Sequence, residues 1–264
     1  MIRTFVLIAA FAWPSLAASR NQWCLSADTY ADKSAPTTQQ ALDHLLEGLD
    51  ARGRNLSTLE ATLAKSEVDL SLGEDTETRT GRIIYDRNAD GAVRIRVSLD
   101  KLKIGEKIQE ARIEYVLLDG VLIDRNYRSK VEMQRIVQKP GQKLDLFKLG
   151  QGPFPLPIGQ PKEAVYEQFE VSEQPAGQDA PPNTAHLKLV PKPGTELARK
   201  FASIDVWVER SDFLPRRIET MNAARTILTR TQLDDVKLNA QLDAKAFALE
   251  KVSEKEWNIK IEAD

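Results

Sequence analysis

A single cysteine, Cys24, stands in 264 residues, so no disulfide can form within the chain and a domain of this size has to rely on its core. Histidine is nearly as scarce. His44 and His186 lie far apart along the chain, with no cysteine beside either, so zinc-ligand spacing is missing and no metal or cofactor is expected. An excess of charge of one sign is also lacking: 37 basic and 39 acidic side chains leave a formal net charge of −2 and are scattered along the chain. No basic stripe is visible, and nucleic acid is not expected as a partner. There is no Gly-x-Ser-x-Gly elbow and no Cys/His pair, which speaks against an enzyme. The adjacent acids Asp234 and Asp235 read as turn or edge residues rather than as a general acid and base.

Long hydrophobic runs are absent too, apart from one. "MIRTFVLIAAFAWPSLAAS" carries one arginine, an apolar run from Thr4 to Trp13, then Pro14 and small residues, the pattern of a secretory signal peptide. The run is shorter than the roughly 20 residues that cross a bilayer as a helix, and no later segment approaches that length. Residues 1–18 are therefore expected to be a signal peptide, cleaved after Ala17 or Ala18 to release a soluble exported chain. Loss of Arg3 with no acid takes the formal charge from −2 to −3. Residues 19–36, polar and without period, read as a flexible leader. Cys24 follows "NQW" rather than the small, aliphatic-led stretch that precedes a lipid-modified cysteine, which leaves a free or an intermolecular thiol open.

What is present begins at Thr37. Ala41, Leu42, Leu45, Leu46 and Leu49 recur at three- and four-residue steps, Thr37 and Gln40 are spaced as a capping box, and Gly53 is placed as a C-terminal stop. The spacing predicts an amphipathic helix, with His44 beside its stripe. The stripe either packs permanently on a sheet or covers a cavity and moves when a ligand enters.

From Leu59 the period becomes two. Leu59, Ala61 and Leu63 share one parity and Val68, Leu70 and Leu72 the other, which suggests a bulge near Lys65. Gly81, Ile83 and Tyr85 follow, then Val93, Ile95, Val97 and Leu99 set against Arg94, Arg96 and Ser98, as in half-buried antiparallel strands with one wet face. Between them "DRNADG" puts Asp86, Asn88, Asp90 and Gly91 on the spacing of a calcium loop. The twelfth position, which should be a glutamate, is Val97, and the flanks read as strands, so a hairpin turn is the better account. Alternation continues through Ile113, Tyr115 and Leu117, Val121 and Ile123, Val131 and Met133, Val165 with Phe169 and Val171, Leu187 and Leu189, Ile204, Val206 and Val208, and Ile227 with Leu233. The fold class is α+β: about ten strands in one large antiparallel sheet that has to curl, with one early helix. "GQGPFPLPIGQP" (Gly150 to Pro161), carrying Phe154, Leu156 and Ile158, reads as a packed loop or a mobile apolar flap. Glu173 to Asn183 reads as a solvated hairpin loop. Residues 250–264 form a charged tail or an extra strand.

The order of these elements from roughly Thr37 to Leu249 resembles the LolA/LolB-like family, the bacterial carriers and receptors of outer-membrane lipoproteins. The resemblance lies in the leucine-rich helix leading into "NLSTLEATLAKSEVDL", the hairpins "GRIIYDRNADGAVRIRV" and "VLLDGVLIDRNY", the "GPFPLPIG" interruption, "IDVWVERSDFLPRRIE" and "TILTRTQLDDVKLNAQLDAKAFAL". It implies a strongly curved antiparallel half-barrel over residues 37–249, its open apolar side covered by the helix and a flap. It also implies a periplasmic, monomeric carrier whose interior takes the acyl chains of a lipoprotein or another lipid, with a membrane-bound donor or receptor as a further partner. Strand parity combined with the resemblance points to Val68, Leu70, Ile83, Tyr85, Ile95, Val97, Tyr115, Leu117, Val206 and Val208 as cavity-lining residues. Leu42, Leu45, Leu46 and Leu49 would close the cavity. The position nearest the family's gating arginine is Arg87, although Asn88 follows it where proline is usual. The third strand lacks aromatics, and the segment 173–183 and the tail lengthen the chain. An alternative is a sensor module on the same fold that engages a protein through the tail or the flap.

Overall fold

The computed structural model describes residues 38–72, 74–88, 92–137, 159–243 and 245–262. Helix α1 (Thr38–Asn55) leads into β1 (Thr58–Asp69), β2 (Glu74–Arg87), β3 (Val93–Ile104), β4 (Lys107–Leu118), β5 (Val121–Asn126) and β6 (Val131–Ile136). The short α2 (Lys162–Gln168) precedes β7 (Phe169–Gln174) and β8 (Thr184–Pro191). Then come α3 (Glu196–Lys200), β9 (Phe201–Glu209), β10 (Pro215–Asn222), β11 (Ile227–Leu238) and β12 (Asn258–Glu262). The twelve strands of the described residues belong to one open sheet in the order β12-β6-β5-β4-β3-β2-β1-β11-β10-β9-β8-β7.

The sheet is two meanders sewn together by one long-range pairing. β1 to β6 follow each other edge to edge, as do β7 to β11, and β1 joins β11 antiparallel with Leu63 opposite Leu233. The count exceeds ten because β10 is too polar to show an apolar period and because β12, in the charged tail, pairs in parallel with β6. The bulge expected near Lys65 is not in β1: register slips on either side of that residue, but both extra residues lie on the partner strands, so β1 keeps one parity throughout. Register slips between Glu60 and Thr62 against β11, where the extra residue lies on β11 beside Asp235 (φ 52°), and between Glu67 and Val68 against β2.

Two helices have no counterpart in the period-two reading. Val165, read as a strand residue, is buried in α2, which Pro161 precedes as its N-cap. Thr195 caps α3 by accepting from the amide of Ala198 at 3.2 Å. The hairpin reading of "DRNADG" agrees with the antiparallel pairing of β2 and β3. Asp86 is held by Arg94 across the pair, and the amide of Ala92 donates to Asn88 Oδ1 at 2.8 Å. Asp90 and Gly91 lie outside the described residues, as do residues 150–158 of the proposed flap, including Phe154, Leu156 and Ile158.

Between β11 and β12 the chain crosses the face of the sheet opposite α1. The even-numbered arginines of β3, expected on a wet face, instead grip this strap. Arg96 Nη1 donates to the carbonyl oxygens of Ala246 and Ala248 at 3.0 Å each, and Arg94 lies 4.7 Å over the ring of Phe247, itself 2 % exposed. On β5, Arg125 is buried with Glu132 and donates to the carbonyl of Glu250 at 2.9 Å. Between these arginines sits Glu114, wholly buried, accepting from Arg96 at 2.5 Å, Arg112 at 2.9 Å and the Tyr127 hydroxyl at 2.7 Å. Burial pushes its carboxyl upward, but the hydrogen bonds from Arg96, Tyr127 and Arg112 outweigh that and hold it below its ordinary value.

The loop from Glu173 to Asn183 joins β7 to β8 as a hairpin, but it is folded onto the sheet rather than simply solvated. Trp207 Nε1 donates to the carbonyl of Ala176 at 3.0 Å, Arg217 donates to the carbonyl of Asp179 at 2.7 Å, and His186 stacks on Trp207 with ring centroids 4.1 Å apart.

Candidate functional site

Leu42, Leu45, Leu46 and Leu49 return to one side of α1 and are each at most 5 % exposed. Opposite them, register brings the odd-numbered residues of successive strands into rows. Leu59, Tyr85, Ile95 and Leu117 form one row across β1 to β4, and Ala61, Ile83, Val97 and Tyr115 form the next. From the other half of the sheet come Leu187 beside Val206, which in turn faces Ile218. All of these except Tyr115, which is half-buried against the rest, belong to one apolar cluster with the helix stripe.

Of the sequence-predicted residues, Ile83, Tyr85, Ile95, Val97, Leu117, Val206 and Val208 therefore converge beneath the four leucines of α1. Two do not. Leu70 is 45 % exposed and Val68 only half-buried, because both have the opposite parity to Leu59, Ala61 and Leu63 and the register slips add their extra residues to β11 and β2, which leaves β1 itself unturned. Val97, Val206 and Val208 have no exposure at all, so no water-sized void borders them in this conformation. The leucines of α1 cover these residues.

Polar contacts hold α1 at its margins. Near its start, Asp43 accepts from the Tyr166 hydroxyl at 2.7 Å and from Gln39 at 2.8 Å, while Lys162 reaches Asp43 at 3.4 Å and Glu47 at 2.5 Å. The hydrogen bond from Tyr166, then that from Gln39, keeps the Asp43 carboxyl below its usual range. Burial, followed by the hydrogen bond to Asp43, pushes the Tyr166 phenol up to about 12. In the middle, Phe213 of the β9–β10 turn lies against Gly48, where a β-carbon would stand 2.1 Å from its ring, and meets His44 edge-on at 5.3 Å. Arg52 Nε donates to the carbonyl of Asp212 in the same turn at 2.5 Å.

Arg87 sits at the far end. Its Nη1 donates to the carbonyl oxygens of Gly53 and Arg54 at 3.0 and 3.4 Å, so the helix runs through Gly53 to Asn55 instead of stopping there. A guanidinium takes on the last-turn carbonyls that a glycine cap would otherwise turn inward to satisfy. Gly159, where the chain leaves the segment 138–158, donates from its amide to the carbonyl of Leu49 at 3.2 Å. The sequence signals for these contacts were a helix glycine, Gly48, and a phenylalanine in a turn, neither of which names its partner.

Among the described residues no group of histidine, cysteine and acidic side chains is placed to hold a metal ion, and no helix is long and apolar enough to cross a membrane. No protein-family model matches the sequence, and no curated relative does. Similar solved structures include the MucA/MucB complex of Pseudomonas aeruginosa, at 16 % identity and a TM-score of 0.48, with 80 % of this chain and 61 % of that one covered. The chain thus spans about three fifths of the MucB chain it matches. LprF from Mycobacterium bovis matches at 12 % identity and a TM-score of 0.41, over 80 % of this chain and 97 % of that one. A LolA superfamily protein from Nitrosomonas europaea matches at 12 % identity and a TM-score of 0.30, over 81 % of this chain and 99 % of that one, so LolA-like proteins are among the structures this chain is similar to.

Proposed function

We propose that this chain is a non-enzymatic periplasmic carrier that takes the acyl chains of a lipoprotein, or another lipid, between α1 and the inner face of its sheet for transfer toward the outer membrane. The observation that carries the reading is the way α1 is held. Its leucine stripe merges with the inner face in one cluster, while the directional contacts described above hold its polar margins and not that apolar stripe. Such a helix leaves as a unit and exposes an apolar trough behind it. That cluster draws on strands from β4 to β7, eight steps apart in the sheet. At about 4.8 Å per step a flat sheet would spread them over about 38 Å, which supports a sheet curled into a half-barrel around the helix. Each acyl methylene that replaces a leucine contact contributes about 0.8 kcal/mol, so a lipid chain offsets the loss of the helix packing without any catalytic group. Arg87, at the junction of helix and sheet, is then the residue that releases or retains the lid.

The test is uptake of a fluorescent fatty-acyl probe by the purified chain. Ile95→Lys or Leu45→Lys is expected to abolish it, since an unpaired charge has no partner in an apolar site. A folded variant that binds as well as the parent would refute this placement of the cavity. Mass spectrometry of organic extracts from protein purified out of its own compartment is expected to find acylated species. A stoichiometric protein partner with no lipid would instead favour a sensor module.

A further inference from the structure

The face of the sheet opposite α1 carries a cavity of about 330 Å³ beneath the strap. It stands apart from the lid site, because successive strand residues point to opposite faces: Ile83, Ile95 and Val97 face the helix, whereas Arg82, Arg96 and Ser98 line this cavity. Arg82 on β2, Arg96 on β3 and Arg112 on β4 give it three guanidinium groups, with Ile84 and Ala246 as apolar walls. Register explains the convergence. Arg82, Ser98 and Glu114 are directly opposite one another on the three strands. Arg96 and Arg112 flank that row, two residues before Ser98 and Glu114 respectively, and both reach Glu114 Oε1.

The charges do not balance. Glu114 serves Arg96 and Arg112 together, so one carboxylate answers two guanidiniums. Asp100, half exposed, is the one acid lining the cavity and stands 4.0 Å from Arg112, at the limit of an ion pair. Arg82 is 63 % exposed and shares Glu60, at 3.6 Å, with Lys237 at 3.8 Å, so three carboxylates answer four cations. Arg96 Nε is buried with no acceptor among the described residues. The surplus is thus positive, planar and spread over three adjacent strands, an arrangement suited to a tetrahedral oxyanion with several acceptor oxygens.

We propose that this cavity binds a phosphate group, either a soluble phosphate ester or the headgroup of a phospholipid, between Arg82 and Arg112 with Arg96 behind it. The volume leaves room beside the phosphate for the first carbons of an ester, against Ile84 and Ala246. Asp100 opposes the anion and sets an upper limit on affinity.

Calorimetric titration of the full chain with inorganic phosphate and with glycerol phosphate, at constant ionic strength, is the first measurement. Saturable binding in the millimolar range or tighter is expected. Arg82→Ala, at an exposed position, should weaken it about tenfold, the loss of one charge-assisted hydrogen bond, and Asp100→Asn should tighten it. Cosedimentation with phosphatidylglycerol and phosphatidylcholine vesicles separates the sources. Vesicle binding that Arg82→Ala reduces and free phosphate competes away identifies a headgroup, whereas phosphate binding without vesicle binding identifies a soluble ester. Absence of saturable phosphate binding by the folded parent, or equal binding by folded Arg82→Ala and parent, overturns the proposal.

Discussion

The guanidinium of Arg87, at the end of β2, donates to the carbonyl oxygen of Gly53 at 3.0 Å and so closes the C-terminal end of α1. A cation at that end also meets the negative pole of the helix. Arg87→Ala is expected to lower stability by about 1.5–3 kcal/mol, the worth of a charged hydrogen bond. Hydrogen exchange should show the loss concentrated in the last turns of α1. A uniform change over the whole sheet would mean that Arg87 acts on the fold and not on the helix.

Gly48 and Phe213 form the second test of how the helix is seated. A β-carbon on residue 48 would lie 2.1 Å from the Phe213 ring, so Gly48→Ala drives the ring off the helix even though alanine favours a helix by about 1 kcal/mol over glycine. A net destabilisation of about 1–2 kcal/mol is expected. Phe213→Ala should cancel most of it in the double variant, a coupling that urea titrations of the four proteins measure directly. If the lid reading holds, Gly48→Ala also speeds uptake of the acyl probe.

Acid should loosen the outer face. Glu114 is held below its ordinary value of 4.5 by Arg96, Tyr127 and Arg112 against the opposing effect of burial. Its contribution is therefore complete at neutral pH and disappears as pH falls below that value through its folded pKa. Glu114→Gln should be less stable at pH 7 and show a flatter fall in urea midpoint on acidification. The parent and the variant should converge at the acid end.

Alkali tests the contact between α1 and α2. The Tyr166 phenol is raised from 10.0 to about 12, by burial first and by its hydrogen bond to Asp43 second. The folded state thus favours the protonated phenol, and its stabilisation, intact below pH 10.0, is lost as pH climbs toward 12. Tyr166→Phe should remove this component of the alkaline transition, followed by the tyrosinate absorbance, and should also reduce the part of the acid limb that Asp43 contributes, since that hydrogen bond is the main cause holding its carboxyl low.

The strap is held by its aromatic anchor as much as by its arginines. Phe247 is 2 % exposed under Arg94, and Phe247→Ala should cost about 3 kcal/mol. Limited proteolysis is expected to cut first within residues 240–257 of that variant.

Periodicity in the sequence determined the amphipathic helix with Leu42, Leu45, Leu46 and Leu49 on one side, the alternation that puts Ile83, Tyr85, Ile95 and Val97 on one face, and the hairpin at "DRNADG". These follow from the rise and turn of a single element and from residues that tolerate a tight turn, so neighbours in the chain carry the whole signal. Tertiary structure alone decided the rest. Val68 and Leu70 stay on the parity opposite to Leu59, Ala61 and Leu63, because the extra residues that would have turned β1 over lie on its partners β2 and β11, and only the pairing decides which strand takes them. The arginines of β3, polar by every local measure, are covered because a strap about 150 residues further on supplies the carbonyls they bind. Arg87 caps a helix 34 residues earlier, and Phe213 finds Gly48, through contacts between segments that the chain holds far apart. Such pairings depend on which surfaces meet once the sheet has formed, and no local period encodes that.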